Sequence, residues 1–334
     1  MGVFSCATCH TRIQADGLVI EGGPGTVPDL LLGFPPTVDA ARAFQRALFH
    51  VPWIEKDPID RVQEMSIEEI NAIKASLPIG VLARHGTSLF MPVQAPDLIG
   101  IKDVKYLDHT GLMRHRYAGD LMRYAALNQG LDMASDYSGY KPTATMRGSD
   151  LKDDNLPAPE TDERYSDVQL FALTKFLYSL APPRNPNHQT ALTDRGKKIF
   201  EREGCNRCHP APLYTSNKLT PAKGFVVTRQ DRNAYDIEPT IVGTDPELTM
   251  RTRRGTGYYK IPSLRGVWYR GPFEHSGSVA TLEDWFDPGR LRSDYVSTGF
   301  RGYGVKTRAV PGHPFGLRLS SDEKPALIAF LKTL

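Results

Sequence analysis

Residues 6–10 of the chain read CATCH, and residues 205–209 read CNRCH. The two stretches share the order Cys-x-x-Cys-His and contain all 4 cysteines of the 334-residue chain. Cysteines at this spacing lie about one helical turn apart, so both can form thioether bonds to one haem, and the histidine that follows can bind its iron. The sequence therefore predicts two covalently attached haems, one at Cys6, Cys9 and His10 and the other at Cys205, Cys208 and His209.

Three alternative roles for the paired cysteines suit the pattern less well. A thioredoxin-like redox motif needs neither a histidine after the second cysteine nor a second copy. A zinc site would leave both histidines unused and would have to join pairs that lie far apart in the sequence. Two structural disulfides would add little to a chain that is long enough to bury its own core. We therefore interpret both motifs as haem attachment sites.

The composition is typical of a globular chain rather than a disordered or membrane-spanning one. Hydrophobic residues make up 40% and charged residues 24%, and no run approaches the ~20 apolar residues of a transmembrane segment. The formal net charge is +3, and the haem propionates would bring it near zero. This balance argues against nucleic-acid binding, which needs a strongly basic face. Because haem c is attached outside the bacterial cytoplasm, we expect a periplasmic or secreted protein whose export leader has been removed.

Helix and linker signals divide the chain into two units. Residues 166–180 predict a helix with Ser166 as N-cap and an apolar face formed by Val168, Phe171, Leu173, Phe176, Leu177 and Leu180. The run APPRNPN at 181–187 cannot continue that helix and is typical of a short linker. The predicted fold is mainly α: two cytochrome c-like haem domains, residues 1–183 and 184–334, packed against each other with extended loops.

Shorter signals predict the remaining helices. Ser66 and Glu69 have capping-box spacing at the start of a helix over 66–76, and Gly130 ends a helix over 118–130. Thr193 and Asp194 suit the start of a helix that Gly204 breaks just before the second haem motif. A last helix follows Ser320 and Glu323, with an apolar stripe at Leu327, Phe330, Leu331 and Leu334. Each unit thus ends in a similar helix, which indicates two loosely repeated units.

The second half resembles the bacterial di-haem cytochrome c peroxidase superfamily. The resemblance is carried by YYKIPSLRGVWYRGPFEHSGSVATLEDWF at 258–286 and by LSSDEKPALIAFLKTL at 319–334. GVW at 266–268, GSVATL at 277–282 and GHPFG at 312–316 are most similar to its rubber-oxygenase-like branch. The resemblance implies a reactive N-terminal haem and a C-terminal electron-transfer haem.

The resemblance also implies ligands for the second haem. Ordinary peroxidases often supply a methionine after the His-x-Gly turn, but the last methionine here is Met250. His275 is then the expected sixth ligand, and Tyr295 and Tyr303 are the alternatives. Trp268 is expected beside this haem, as an electron relay or as a core residue. A Ca²⁺ ion between the haems, bound by carbonyl groups near Pro272, is also implied.

The distal side of the first haem is less defined by the sequence. The segment YLDHTGLMRHRYAGD at 106–120 favours His115, and after it His109, as the catalytic residue, with an ordinary hydrogen-bonded role as the alternative for each. The other candidates for a distal ligand or catalytic group are His50, His85, Met65, Met91, Met113 and Met122.

Three functions are compatible with these features. The leading one is a peroxidase-like oxidoreductase that reduces peroxide or activates O₂, with electrons from small redox proteins or a small-molecule donor. A plain di-haem electron-transfer cytochrome would have both irons six-coordinate. A haem oxygenase acting on an apolar substrate is favoured by the branch resemblance, although the chain lacks the long extra sequence of those enzymes.

Overall fold

A computed structural model describes residues 6–25, 65–83, 89–129, 165–252 and 255–334. Within these ranges the chain is rich in helices, which are joined by loops and short turns. The α-helices are Cys6–Cys9, Ile67–Ala75, Ala118–Gln129, Asp167–Ser179, Ala191–Arg202, Arg229–Ala234, Glu247–Arg251, Leu282–Trp285 and Glu323–Lys332. Short 3₁₀ turns lie at Ile101–Asp103, Cys205–Arg207 and Pro288–Leu291.

The strands of the described ranges are two or three residues long and form antiparallel pairs. Such short pairs connect the loops around the helices by hydrogen bonds and form no extended sheet. This arrangement agrees with the predicted mainly α class. The pairs are Thr11–Ile13 with Val19–Glu21, Val81–Leu82 with Val93–Gln94, Tyr106–Leu107 with Met113–Arg114, and Leu219–Pro221 with Tyr258–Lys260.

Most of the predicted helix boundaries are confirmed. Ser66 and Ser166 each cap a helix through a complete capping box, with Glu69 and Gln169 as the reciprocal partners. Gly204 ends the helix before the second haem motif in the left-handed region, with φ of 73°. The helix predicted to stop at Gly130 runs from Ala118 to Gln129, and Gly130 itself lies outside the described residues.

One predicted helix start is wrong. The helix before the second haem motif starts at Ala191, not at Thr193, because the Thr190 hydroxyl accepts the peptide N–H of Thr193 and the Thr193 hydroxyl accepts that of Thr190. In the last helix, Ser320 makes the expected contact with the Glu323 carboxylate, although the helix itself begins at Glu323.

The predicted apolar face of helix Asp167–Ser179 is wrong only in part, because Leu177 is buried as expected and Leu173 and Leu180 pack against the same cluster. The helix buries Leu170, Thr174 and Leu177, whereas Val168 is 78% and Phe176 is 55% exposed. Apolar residues surround this helix, so periodicity alone does not select the side that packs against helix Ala118–Gln129.

The main core joins the helix before the second haem motif to the last helix of the chain. Helix Ala191–Arg202 packs against helix Glu323–Lys332, with Ile199, Phe200, Leu327 and Phe330 buried between them. Gly196 permits this close approach, because a Cβ at that position would lie 2.0 Å from the carbonyl oxygen of Ala326. The core fixes the helix that leads directly into Cys205.

A second repeat, not visible in the helix pattern, links the halves of the chain. Residues 93–111 and 259–277 form the same succession of turns, and equivalent residues differ by a constant amount in residue number. Gly100 and Gly266 both have φ of 76°, and Gly111 and Gly277 have φ of 66° and 70°. The acidic residue before each histidine, Asp108 or Glu274, also adopts positive φ. Each half therefore carries one acidic-His-x-Gly turn, centred on His109 in the first half and on His275 in the second.

Candidate functional site

Both haem motifs place two thiols and an imidazole on a single turn. The first motif lies on helix Cys6–Cys9, and the second on the 3₁₀ turn Cys205–Arg207. The peptide N–H of His10 donates to the Cys6 carbonyl at 3.0 Å, and that of His209 donates to the Cys205 carbonyl at 2.9 Å. None of the four cysteines, all of which lie in the described ranges, forms a disulfide. The arrangement fits the geometry that covalent attachment of a haem requires.

The two motif histidines are oriented by backbone carbonyl groups. His10 Nδ1 donates to the Pro96 carbonyl at 3.0 Å, and His209 Nδ1 donates to the Tyr214 carbonyl at 3.0 Å. Such a bond fixes the ring tautomer and leaves Nε2 as the nitrogen that can bind a metal. Burial lowers the pKa of His209 to about 4, so its ring is neutral, as a metal ligand must be.

A large cavity opens beside the second motif. Its volume is about 570 Å³, which suits a cofactor-sized ligand. Cys205, Cys208 and His209 line one part of it, and apolar side chains such as Phe200, Phe286 and Leu331 line another. Lys260, Arg265 and Arg270 also face it, and such cations can pair with haem propionates. The residues present therefore fit a covalently bound haem.

His313 enters the same cavity and shows an unsatisfied ring nitrogen. Its Nδ1 is buried without a hydrogen-bond partner. His209 and His313 line this one cavity, and burial followed by the charge of His209 lowers the pKa of His313 to about 3. An unpartnered buried nitrogen costs free energy, and bonding to a metal would satisfy it. His313 was not predicted from the sequence, although it lies between Gly312 and Gly316 of GHPFG, both of which have positive φ.

The loop that carries His313 is held by a buried arginine. Arg290 is 0% exposed, and its guanidinium donates to the carbonyl groups of Trp285, Val310, Gly312 and His313 at 2.7–2.9 Å. The peptide N–H of His313 donates to the Val242 carbonyl at 2.7 Å, and its ring packs 5.2 Å from that of Trp285. These contacts hold His313 in a left-handed conformation, with φ of 46°.

His275 lines the cavity, but protein groups satisfy both of its ring nitrogens. Nδ1 pairs with the Glu274 carboxylate, and Nε2 contacts the Tyr259 hydroxyl at 3.3 Å, with the two rings stacked 4.5 Å apart. Burial opposes ionisation of Glu274, but the charge of His275 and hydrogen bonds from His275 and Ser276 outweigh it and lower the pKa of Glu274. To bind iron, His275 would have to give up the Tyr259 hydroxyl. The predicted ligation by His275 stays a prediction.

The other residues expected at the second haem divide into two groups. Trp268 lines the cavity and packs edge-on against Tyr269, with ring centroids 5.1 Å apart. Tyr295 and Tyr303, the alternatives for the sixth ligand, are absent from the lining of this cavity. Tyr303 is 52% exposed.

The two histidines predicted to be catalytic lie in different settings. His109 lines the cavity, and its Nε2 bonds to the Gln94 carbonyl at 2.7 Å. Burial and then the charge of Lys260 lower the pKa of His109 to about 4. His115 is buried away from the cavity lining, with Nδ1 bonded to the Val104 carbonyl at 2.8 Å and Nε2 to the Tyr178 hydroxyl at 2.6 Å. His50 and His85 lie outside the described residues.

Residues 94–97 connect the first haem motif to the histidine turn at 274–277. The peptide N–H of Gln94 donates to the His275 carbonyl at 2.8 Å, and two residues later the Pro96 carbonyl accepts His10 Nδ1. Asp97 then accepts the Tyr269 hydroxyl at 2.8 Å. A displacement of either His10 or the turn at 274–277 would therefore be transmitted to the other through this short segment.

Comparisons with known proteins agree with the motifs. A stretch of 165 residues is 27% identical to the cytochrome-c peroxidase IdrP2 of Denitromonas iodatirespirans, covering 43% of this chain and 41% of that protein. A stretch of 147 residues is 31% identical to the uncharacterized protein y4iJ of Sinorhizobium fredii, covering 34% of this chain and 25% of that protein. The chain thus spans less than half the length of these relatives. No family model matches.

Two solved structures align with most of this chain at low identity and low TM-score. A MauG-like protein associated with microbial copper homeostasis shares 18% identity over 93% of this chain and 92% of its own, with a TM-score of 0.41. The diheme peroxidase BthA of Burkholderia thailandensis shares 16% identity over 94% of this chain and 90% of its own, with a TM-score of 0.36. The relatives named cytochrome-c peroxidase support the resemblance of this chain to the bacterial di-haem cytochrome c peroxidase superfamily.

Proposed function

We propose that the chain is a di-haem c-type cytochrome that works as a peroxidase-like oxidoreductase. The two haems, when bound, would supply the redox chemistry in which two electrons and two protons convert one hydrogen peroxide into two waters. The observation that carries the proposal is the pair of imidazoles, His209 and His313, that enter one cavity at the second motif. The peroxidase names of the relatives support the same class of reaction.

In this proposal His209 and His313 would hold the haem iron at the second site, with His313 in place of His275. His313 has a buried ring nitrogen without a partner, whereas both nitrogens of His275 have protein partners. Two imidazole ligands would exclude peroxide from the iron and would give it a lower potential than a methionine ligand. The second site would then store or deliver electrons, and the site of His10 would react with peroxide.

The acidic-His-x-Gly turns act as supports for the two sites. His109 Nε2 donates to the Gln94 carbonyl, and the His275 carbonyl accepts the Gln94 N–H. Both histidines therefore fix the segment whose Pro96 carbonyl orients His10. We assign His109 and His275 as positioning residues. His115 stays a predicted catalytic residue, although its two hydrogen bonds favour a structural role.

The location and partners follow from the same chemistry. Haem c attachment outside the cytoplasm favours a periplasmic or secreted protein. In the described ranges, no helix has both the length and the apolar character needed to cross a bilayer. A small redox protein or a small-molecule reductant is the proposed electron donor. The rubber-oxygenase-like branch and an apolar substrate remain predictions from the resemblance.

The test is an anaerobic titration of the fully reduced holoprotein with hydrogen peroxide. We expect one equivalent of peroxide to oxidise both haems, with a transient change in the spectrum of the haem bound at His10. We also expect a high-spin ferric signal that shifts with cyanide, which indicates an open iron position. If no high-spin signal appears in either redox state and peroxide oxidises the haems only slowly, the protein is a plain electron carrier.

A further inference from the structure

Three consecutive carbonyl groups, at Tyr269–Gly271, face side chains from the first half of the chain. Each accepts a hydrogen bond from a side-chain N–H group there: Gln14 bonds to Tyr269 (3.4 Å), Gln94 to Arg270 (2.9 Å) and Arg12 to Gly271 (2.7 Å). These bonds join residues 12–14, which follow the first haem motif, and Gln94 to the backbone just before the turn at 272–277. The bond from Arg12 is the shortest and the only one of the three with a charged donor, so it contributes most.

This is the place where the family resemblance implied Ca²⁺, and the residues present do not fit that ion. Ca²⁺ takes six to eight oxygen ligands, including backbone carbonyl groups and carboxylates. Here the carbonyl groups before Pro272 already accept N–H donors, and one of those donors is a guanidinium cation that would repel a divalent ion. Within the described residues, no group of three or more His, Cys, Asp or Glu side chains forms a metal site.

The Arg12 guanidinium is enclosed between the two halves. Its Nη1 also lies 3.4 Å from the Pro24 carbonyl. Gly80 leaves room for it, because a Cβ at Gly80 would lie 3.3 Å from Arg12 Nη1 and 3.1 Å from Pro272 Cδ. Burial lowers the pKa of Arg12 from its usual value, yet an arginine stays charged at neutral pH. A single positive charge is therefore fixed against the carbonyl groups at this junction.

We propose that the Arg12 guanidinium takes the place of a divalent cation at this junction and ties the first haem segment to the turn that carries His275. Arg12 is two residues after His10, and Gly271 is four residues before His275. The bond therefore fixes the relative position of the two haem-bearing halves without a metal ion. This role of Arg12 does not depend on which reaction the haems perform.

Metal analysis and thermal unfolding of the holoprotein test the proposal. We expect iron at two atoms per chain without stoichiometric calcium, and the same Tm after dialysis against a calcium chelator as after addition of Ca²⁺. Arg12→Met, which keeps the apolar stem and removes the charge, should lower Tm by about 2–4 °C. Arg12→Lys should recover part of the loss, because an ammonium group can also donate to Gly271. Arg229→Met is the matched control at an exposed arginine, and it should leave Tm within about 1 °C.

Two outcomes would overturn the proposal. One is stoichiometric calcium in the purified wild-type protein, or a lower Tm after chelation. The other is an Arg12→Met variant that unfolds at the same temperature as the Arg229→Met control. Neither outcome depends on enzymatic activity. The proposal for Arg12 can therefore be wrong while the peroxidase proposal is correct, and the reverse also holds.

Discussion

The peptide N–H of Gln94 donates to the carbonyl oxygen of His275 at 2.8 Å, and this contact has a counterpart in the other half of the chain. Lys260 occupies the position of Gln94 in the second repeat, and its N–H donates to the carbonyl oxygen of His109 at 2.9 Å. Reciprocal contacts of this kind define an approximate two-fold relationship, as in an isologous dimer interface. Each histidine turn is therefore anchored by the half of the chain to which it does not belong.

The side chains on this symmetric frame differ between the halves. Tyr259 precedes Lys260 and stacks on His275, whereas Val93 occupies the equivalent position before Gln94. Burial lowers the pKa of Lys260 to about 8, so the second repeat places an ionisable group where the first has a neutral amide. A duplicated backbone thus supports two sites of different chemistry, which a division into a reactive and an electron-transfer haem requires.

Replacing His313 should change the spin state of the second haem. In His313→Gly, we expect both haems to stay attached, because the cysteine thioethers do not depend on this residue. The low-spin signal of a bis-imidazole haem should disappear from the electron paramagnetic resonance spectrum, and peroxidase turnover should fall at least about tenfold. Added imidazole should restore part of the low-spin signal by filling the space left by the side chain.

Two matched variants make the His313 prediction specific. His188→Gly, at an exposed histidine, should leave the spectrum unchanged. His275→Gln should keep the bis-imidazole signal, since His275 bonds to Glu274 and Tyr259. Loss of the low-spin signal in His275→Gln with its retention in His313→Gly would instead make His275 the ligand, as the family resemblance implies.

These two histidines show what the sequence could and could not predict. The haem motifs specify their own chemistry within five residues, and the capping boxes at Ser66 and Ser166 are local, so both could be predicted. The choice between His275 and His313 depends on contacts from distant residues. Glu274 and Tyr259 occupy the nitrogens of one, and Arg290 fixes the loop of the other. Spacing along the chain carries no information about such contacts.

Burial of the helix at 167–179 was unpredictable for a related reason. Leu170, Leu177, Val168 and Phe176 are all apolar, but only the first two are buried. The position of helix Ala118–Gln129 decides which side is covered. A helix with apolar residues on several sides has no single preferred face until its partner is known.

Removing one pair of motif cysteines should remove one haem. In the double variant Cys205→Ala, Cys208→Ala, we expect the covalent mass to fall by one haem and the pyridine haemochrome absorbance per chain to fall by half. The first motif should keep its haem, since Cys6 and Cys9 lie on a separate helix. Bound zinc and no Soret band in the wild-type protein would contradict both haem assignments.

Arg290 should be essential for the stability of the His313 loop. Its guanidinium donates hydrogen bonds to four carbonyl groups, and the side chain is fully buried. Arg290→Met would leave several acceptors unsatisfied and should lower the free energy of unfolding by about 3 kcal/mol or more. Arg292→Met, at an arginine 71% exposed in an ion pair with Asp294, should leave the free energy of unfolding nearly unchanged. Denaturant unfolding measures both. The low-spin signal assigned to His313 should weaken in the Arg290 variant alone.

Glu274 should make the stability of the protein sensitive to acid. Although burial opposes its ionisation, the charge of His275 and the hydrogen bonds from His275 and Ser276 lower its pKa in the folded state. A carboxyl group whose pKa is lower in the folded than in the unfolded state stabilises the fold above its unfolded pKa, near 4.3. This stabilising contribution is lost as the pH falls from the unfolded-state pKa through the lower pKa that Glu274 has in the folded state.

The stability of wild type relative to Glu274→Gln should therefore be greatest at neutral pH and should shrink steadily below about pH 4.3. Denaturant unfolding midpoints between pH 7 and pH 3 measure this difference. Glu201→Gln, at an exposed carboxylate, is the matched control and should change the unfolding midpoints only slightly. The difference in unfolding midpoint between wild type and Glu274→Gln could instead stay the same from pH 7 to pH 3. In that case His275 and Ser276 do not lower the pKa of Glu274 in the folded state. The bond between Glu274 and His275 would then not hold the histidine turn in place.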